Sequence, residues 1–135
     1  LSNRKIQADY VCPCCFRRIE NCICNIAPET LIQIDFAIQD HIRILNEKGY
    51  ITETCCESHF VNDGNLNGLT QIYIAFVCGL PEDAEIPKDF KITKGRQIIS
   101  YKYPNRTLTI GEFEEIKNKE LKILLEFVCS LPPRR

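Results

Sequence analysis

Residues 45–60 read LNEKGYITETCCESHF. In the first five residues a helix ends, with Gly49 as its natural stop just past the last turn. In the next seven, Tyr50–Cys56, a strand begins, with Ile51, Glu53 and Cys55 alternating against Thr52, Thr54 and Cys56. Two adjacent cysteines and a histidine three residues on, Cys56-x-x-His59, then fall where the strand runs into a polar loop. A helix feeding a strand, with reactive side chains at the strand end, predicts a small α/β framework carrying a site. The candidate ligand-binding residues are Cys55, Cys56, Ser58, His59 and His41, with Cys56 and His59 the catalytic candidates. A Cys–His pair can make a thiolate nucleophile, or Cys and His can be metal ligands with Cys78 or His41 completing the set. Successive strand side chains point opposite ways, which argues for one buried cysteine and one facing the loop; both can equally be core filler, with His59 a loop residue.

N-terminal to that stretch, the periodicity predicts a helix over Ile34–Lys48, with Ile34, Ala37, Ile38, Ile42 and Leu45 on one face. His41 falls in the middle of this face, either as a buried histidine with a hydrogen-bond partner or aimed at the sheet near Cys55 and Cys56. Residues 25–30 (NIAPET) read as a linker. Before them lies Cys12-Pro-Cys14-Cys15-Phe-Arg-Arg-Ile-Glu-Asn-Cys22-Ile-Cys24. A C-x-x-C hook and a C-x-C hook can bring four thiolates to one tetrahedral ion at about 2.3 Å. A structural Zn²⁺ on Cys12, Cys15, Cys22 and Cys24 is therefore expected, with Cys14 as the spare and an iron–sulfur cluster, a redox dithiol or free thiols as the alternatives; spacing alone does not separate a 12/14 pair from a 12/15 pair. Nine cysteines is an odd number, and no secretory signal is visible, which argues against a disulfide framework. Residues 1–11 are polar and expected to be loose.

C-terminal to it, residues 57–69 are rich in Asn and Gly. Asp63, Asn65, Asn67 and Gly68 match the first half of a calcium loop, but Ile74 stands where the bidentate Glu belongs, so calcium is rejected. Gln71–Cys78 is apolar on both faces and reads as a central strand. Asp89–Thr93 and Arg96–Tyr103 read as two more strands joined near Lys94-Gly95. Thr109-x-x-Glu112 is a capping box opening a helix over Ile110–Ser130. The fold class is α+β: roughly four mostly antiparallel strands with two helices on one face, plus an N-terminal zinc knuckle. Residues 1–26 form the tail and knuckle, and 27–135 the α+β domain.

With 135 residues, 44% hydrophobic and 26% charged, the chain has the composition of a globular protein able to bury a core. A net charge of −1 gives no global pull toward nucleic acid or anionic membrane. No apolar run approaches the ~18 residues that span a bilayer, and LSNRKIQADYV lacks an apolar signal core, so a cytoplasmic location with no membrane partner is expected. The sequence contains no Met; a non-standard start, a processed end or a trimmed chain each account for that. From Lys88 to Arg106, six basic residues (Lys88, Lys91, Lys94, Arg96, Lys102, Arg106) stand against one acid, Asp89. Aromatics lie between them. This stretch is the expected nucleic-acid face, or else a solvated edge of the sheet; the knuckle is the expected tab for a protein partner.

The run Ile34-Asp35, Ile42, Leu45-Asn46, Gly49-Tyr50-Ile51-Thr52, Cys56-x-x-His59 and Ile72-Tyr73-Ile74-x-Phe76, behind a cysteine knuckle, resembles a group of small bacterial and phage proteins with no assigned activity. Its core is distantly similar to the wybutosine-synthesis tRNA methyltransferase family. There a helix ending near an Asn leads into a strand whose Thr precedes a Ser-Ser-Cys-Ser-Gly-Arg segment. The matching residues are Asn46, Thr52 and Thr54-Cys55-Cys56-Glu57-Ser58-His59, with Ser58 in place of the Gly and His59 in place of the Arg. The match covers about 45 residues. It implies S-adenosylmethionine-dependent methyl transfer to RNA centred on Cys56 and His59, as the alternative to a zinc-containing binding module.

Overall fold

Along the chain run β1 (Ala8–Val11), β2 (Ile32–Asp35), α1 (Gln39–Glu47), β3 (Thr52–Cys56), β4 (Ile72–Phe76), β5 (Lys91–Ile92), β6 (Ile98–Tyr101) and α2 (Ile110–Ser130). They belong to a computed structural model that describes residues 8–18, 21–24, 31–56, 71–104, 106 and 108–134. β3, β4, β6 and β5 form, in that order, a four-stranded sheet that is antiparallel throughout, and β1 pairs with β2 in a separate two-stranded sheet. The strand expected at the centre is there: β4 lies between β3 and β6.

The register divides the sheet into two faces. Ile72, Ile74 and Phe76 of β4 and Ile99 and Tyr101 of β6 join one core with Ile38, Ile42 and Leu45 on the α1 side, and with Phe113, Leu121, Leu124, Phe127 and Val128 of α2. Because side chains alternate across a strand, both helices cover the same face, as expected. Cys55 pairs with Ile74 and packs against this core. Cys56 pairs with Tyr73 and so stands on the opposite face. The two cysteines thus part company as the alternation requires.

Three expectations are corrected. Residues 8–11 are not loose. They form β1, whose Val11 is 1% exposed, because pairing with Ile32–Asp35 satisfies the backbone of a segment with little apolar pattern of its own. The first helix begins at Gln39 rather than Ile34. Ile34 sits at a position that fits both a helical stripe and a period-2 strand, and pairing with Asp9 decides for the strand; a 3₁₀ turn, Phe36–Ile38, then leads into α1. The simple alternation through β3 fails at its start. Register shifts between Thr52, opposite Phe76, and Thr54, opposite Ala75, so Glu53 is bulged out.

The C-terminus of α1 and both ends of α2 are closed by identifiable groups, while the N-cap of α1, Ile38, makes no side-chain cap bond. After α1, Tyr50 N–H donates to Leu45 O (2.8 Å) and Gly49 N–H to Asn46 O (3.1 Å), with Gly49 at φ +94°. This is a Schellman closure, and the left-handed position is why Gly is needed there. α2 spans the expected residues. Glu112 N–H donates to Thr109 Oγ1 and Thr109 N–H to Glu112 Oε1, each at 3.0 Å. At its other end no glycine cap exists. Instead Lys48 Nζ donates to the carbonyls of Val128 (3.0 Å), Cys129 (2.7 Å) and Leu131 (2.6 Å). Residues 132–134 then lie back over the α1–β3 corner: Tyr50 Oη donates to Pro132 O, Arg134 N–H to Lys48 O, and Arg134 Nη2 to Gly79 O. Gly79 itself permits a close approach, since a Cβ there would lie 2.1 Å from Gly95 O.

Candidate metal centre

β1 delivers the chain into a tight hairpin that turns on the first hook. Val11 bridges Arg18 across the hairpin mouth, Cys12 N–H donates to Arg17 O (2.9 Å) and Phe16 N–H to Cys12 O (2.7 Å). Phe16 takes φ +60°, the left-handed turn position that reverses the chain after Cys15. The second hook follows a further turn, in which Asn21 N–H donates to Arg18 O (2.9 Å). In each hook a backbone N–H two residues on points at the first sulfur: Cys14 N–H to Cys12 Sγ and Cys24 N–H to Cys22 Sγ, both at 3.3 Å.

The outcome is convergence. The Sγ atoms of Cys12, Cys15, Cys22 and Cys24 all lie within 4.8 Å of one another. Cys12 is buried, Cys15 and Cys22 half-buried and Cys24 exposed. Cys14 is exposed and lies outside the set, so geometry selects the 12/15 pair that spacing left open. These four residues form a donor set that could hold a metal ion.

Three of the thiols are shifted by their neighbours in the cluster. Burial works against a Cys12 thiolate, but hydrogen bonds from the Cys15 and Cys14 N–H groups and from the Cys22 and Cys15 thiols outweigh it and bring Cys12 down to about 6. Cys24 is pushed up to about 12, first because its thiol bonds Cys12 and then by burial. Burial, with the bonds to Cys12 and Cys22, also raises Cys15.

The hairpin rests against the corner read first in the sequence. Pro13, Cys14 and Phe16 on one side and Asn46, Glu47 and Ile51 on the other line a cleft of about 240 Å³. Arg17 reaches Glu47 across it at 3.7 Å. Beneath the cleft, Asn46 ties helix to strand: its Nδ2 donates to Ile42 O (2.8 Å) and Thr52 Oγ1 (2.9 Å), and its Oδ1 accepts from Thr52 N–H (3.2 Å). Asn46 falls outside the apolar face of Ile34, Ala37, Ile38, Ile42 and Leu45 that the periodicity picks out. The signal that could have found this bond was an amide six residues before a strand threonine, just ahead of a glycine stop.

The other candidate residues are not brought to the knuckle. His41 is 3% exposed, and its Nε2 lies 2.8 Å from Leu121 O, so it joins α1 to α2 rather than reaching toward Cys55 and Cys56. Cys55 and Cys56 are half-buried on opposite sheet faces. Ser58 and His59, with the whole asparagine- and glycine-rich loop and the 25–30 linker, lie outside the described residues. In the basic stretch, Lys88, Lys91, Lys94, Lys102 and Arg106 are exposed. Arg96 is not available: Nε and Nη2 donate to Pro81 O (2.9 Å) and Ala84 O (2.7 Å), pinning the loop before β5. No helix among the described residues is long and apolar enough to cross a membrane. Comparisons with protein-family models, curated proteins and solved structures find no match.

Proposed function

We propose that this chain is a small zinc-stabilised binding module whose partner is nucleic acid. The observation that carries the metal reading is the convergence of four sulfurs within 4.8 Å. Four thiolates at about 2.3 Å from a tetrahedral Zn²⁺ stand about 3.8 Å apart, so a small contraction of this set meets the ion. The N–H group aimed at Cys12 favours thiolate there, and a divalent cation supplies the charge that lets the other thiols ionise. With all four protein ligands taken, such an ion has no open position and its role is structural. The partner reading rests on Lys88, Lys91, Lys94 and Lys102, exposed and with no hydrogen-bond or ion-pair partner among the described residues.

Elemental analysis of protein purified without added metal tests the zinc reading. One zinc per chain, lost in Cys12→Ser with Cys15→Ser, is expected; a metal-free wild type would sink it.

A second reading, S-adenosylmethionine-dependent methyl transfer, is favoured by one observation. Asn46 and Thr52, the frame residues of the resemblance, bond each other across the helix–strand corner. Saturable S-adenosylmethionine binding by calorimetry, weakened in Cys56→Ala, is what this reading requires, and a flat titration would remove it.

A further inference from the structure

We propose that the sheet face turned away from the helices binds single-stranded nucleic acid, with Tyr73 as the stacking platform and Lys91 and Lys102 as phosphate contacts. This deepens the nucleic-acid reading above and rests on it.

The face follows from the register. Tyr73 stands opposite Cys56 on one side and Ser100 on the other, and Ser100 stands opposite Lys91. These four residues therefore form one row across the sheet, on the side away from the core residues Ile74 and Ile99. Thr54, Ala75 and Ile98 form the next row. Lys102 follows β6 and is exposed between buried Tyr101 and Tyr103, so it continues the outward positions of that strand.

Three properties of the row suit a base and its phosphate. Tyr73 is half-buried in the sheet, and its paired neighbours, Cys56 and Ser100, are both small, so among the described residues neither strand partner covers the ring with a large side chain. Lys91 stands two strands away, about 10 Å by strand spacing, within a lysine's reach of the backbone of a nucleotide stacked on the ring. The paired residues of this face include no carboxylate: Glu53 is in the bulge of the far edge strand, and Asp89 acts electrostatically on Glu120 and Tyr101 on the helix side. The side chains of Lys91 and Lys102 have no hydrogen-bond or ion-pair partner among the described residues, whereas Arg17 and Arg43 pair with Glu47 and Arg106 with Glu112. Uncompensated cations beside an aromatic ring complement an anion that carries exposed π-faces. In a duplex those faces are stacked inside, so the occupant is a single strand.

Fluorescence anisotropy with a labelled mixed-sequence single strand, and with the same sequence as a duplex, tests this at low salt. The single strand is expected to bind and the duplex to bind more weakly. Tyr73→Leu should weaken binding about tenfold, while Tyr73→Phe keeps it. Lys91→Glu with Lys102→Glu should weaken binding and flatten its salt dependence, whereas Lys119→Glu with Lys122→Glu, the same charge change at two exposed lysines of α2, leaves both unchanged. Should Tyr73→Leu fail to fold, the exposed lysine pair still decides. Single-strand binding indifferent to the lysine pair overturns the face and leaves the nucleic-acid reading standing. No single-strand binding, or a preference for duplex, overturns the proposal; zinc content measured on the same samples keeps that result separate from the fate of the metal reading.

Discussion

At Lys48 one ammonium serves a helix end eighty residues away in sequence. Its three carbonyl partners are the orphan acceptors at the end of α2, where a positive charge also meets the helix dipole favourably. Lys48→Met should lower stability by about 1–2 kcal/mol, read as a lower urea midpoint with unchanged slope. Glu120 is the opposite case. It is 3% exposed, and its Oε1 has no hydrogen-bond partner among the described residues. Burial foremost, then Asp89, raises its carboxyl above the ordinary range, against a smaller opposing effect of Lys119. A carboxyl raised in the folded state favours folding while protonated. That contribution is full below the unfolded value of about 4.3 and is lost as pH rises through the folded value. Glu120→Gln should therefore raise the melting temperature at neutral pH, with the gain vanishing toward pH 4. Neither residue announced itself in sequence: Lys48 reads as a polar helix end, and Glu120 as one charge among many on a long helix.

Elements were legible where two local signals agreed. α2 has a capping box and a broad apolar arc, and its limits match the reading from sequence to the residue. The cap is expected to matter: Thr109→Ala should cost about 1 kcal/mol near neutral pH by thermal melting. The Glu112 carboxyl is held below its usual value chiefly by the Thr109 N–H, so its share of the cap is lost as pH falls through that lowered value. β4 was legible for a similar reason, being apolar on both sides and flanked by turn residues. β1 and β2 were not, because four-residue strands that pair over twenty positions apart carry no sufficient local pattern. In β3 the bulge at Glu53 leaves no mark in an alternating run of Thr and Glu.

For the molecule as a whole, the knuckle and the sheet draw on different forces. Four sulfurs converge in the knuckle, while the sheet and helices share a core of aliphatic and aromatic side chains. The cysteine spacing made the first legible, since few arrangements other than a metal site use two short hooks so close together. The second was legible as a class, α+β, but not as a strand order, which depends on pairing that sequence does not display. On the proposed zinc reading, a chelator is expected to release the hairpin and its contact with Glu47 while leaving a cooperative, less stable unfolding transition. Circular dichroism of wild type with and without chelator checks this, and full loss of the cooperative transition would show that the two parts are one unit.

The latch formed by Tyr50, Lys48 and residues 132–134 has a kinetic meaning. Its bonds, with those of Lys48 to Val128, Cys129 and Leu131, join positions 80–86 residues apart, and contacts at that separation carry a large loop-closure cost before they return anything. They are expected to form after the barrier, so a lesion there acts on escape from the native state rather than on entry to it. Tyr50→Phe should steepen the loss of protein in an unfolding jump while the refolding rate hardly changes; a slowed refolding limb would instead place this corner in the nucleus. The corner from which the sequence was first read would then be the clasp fastened last.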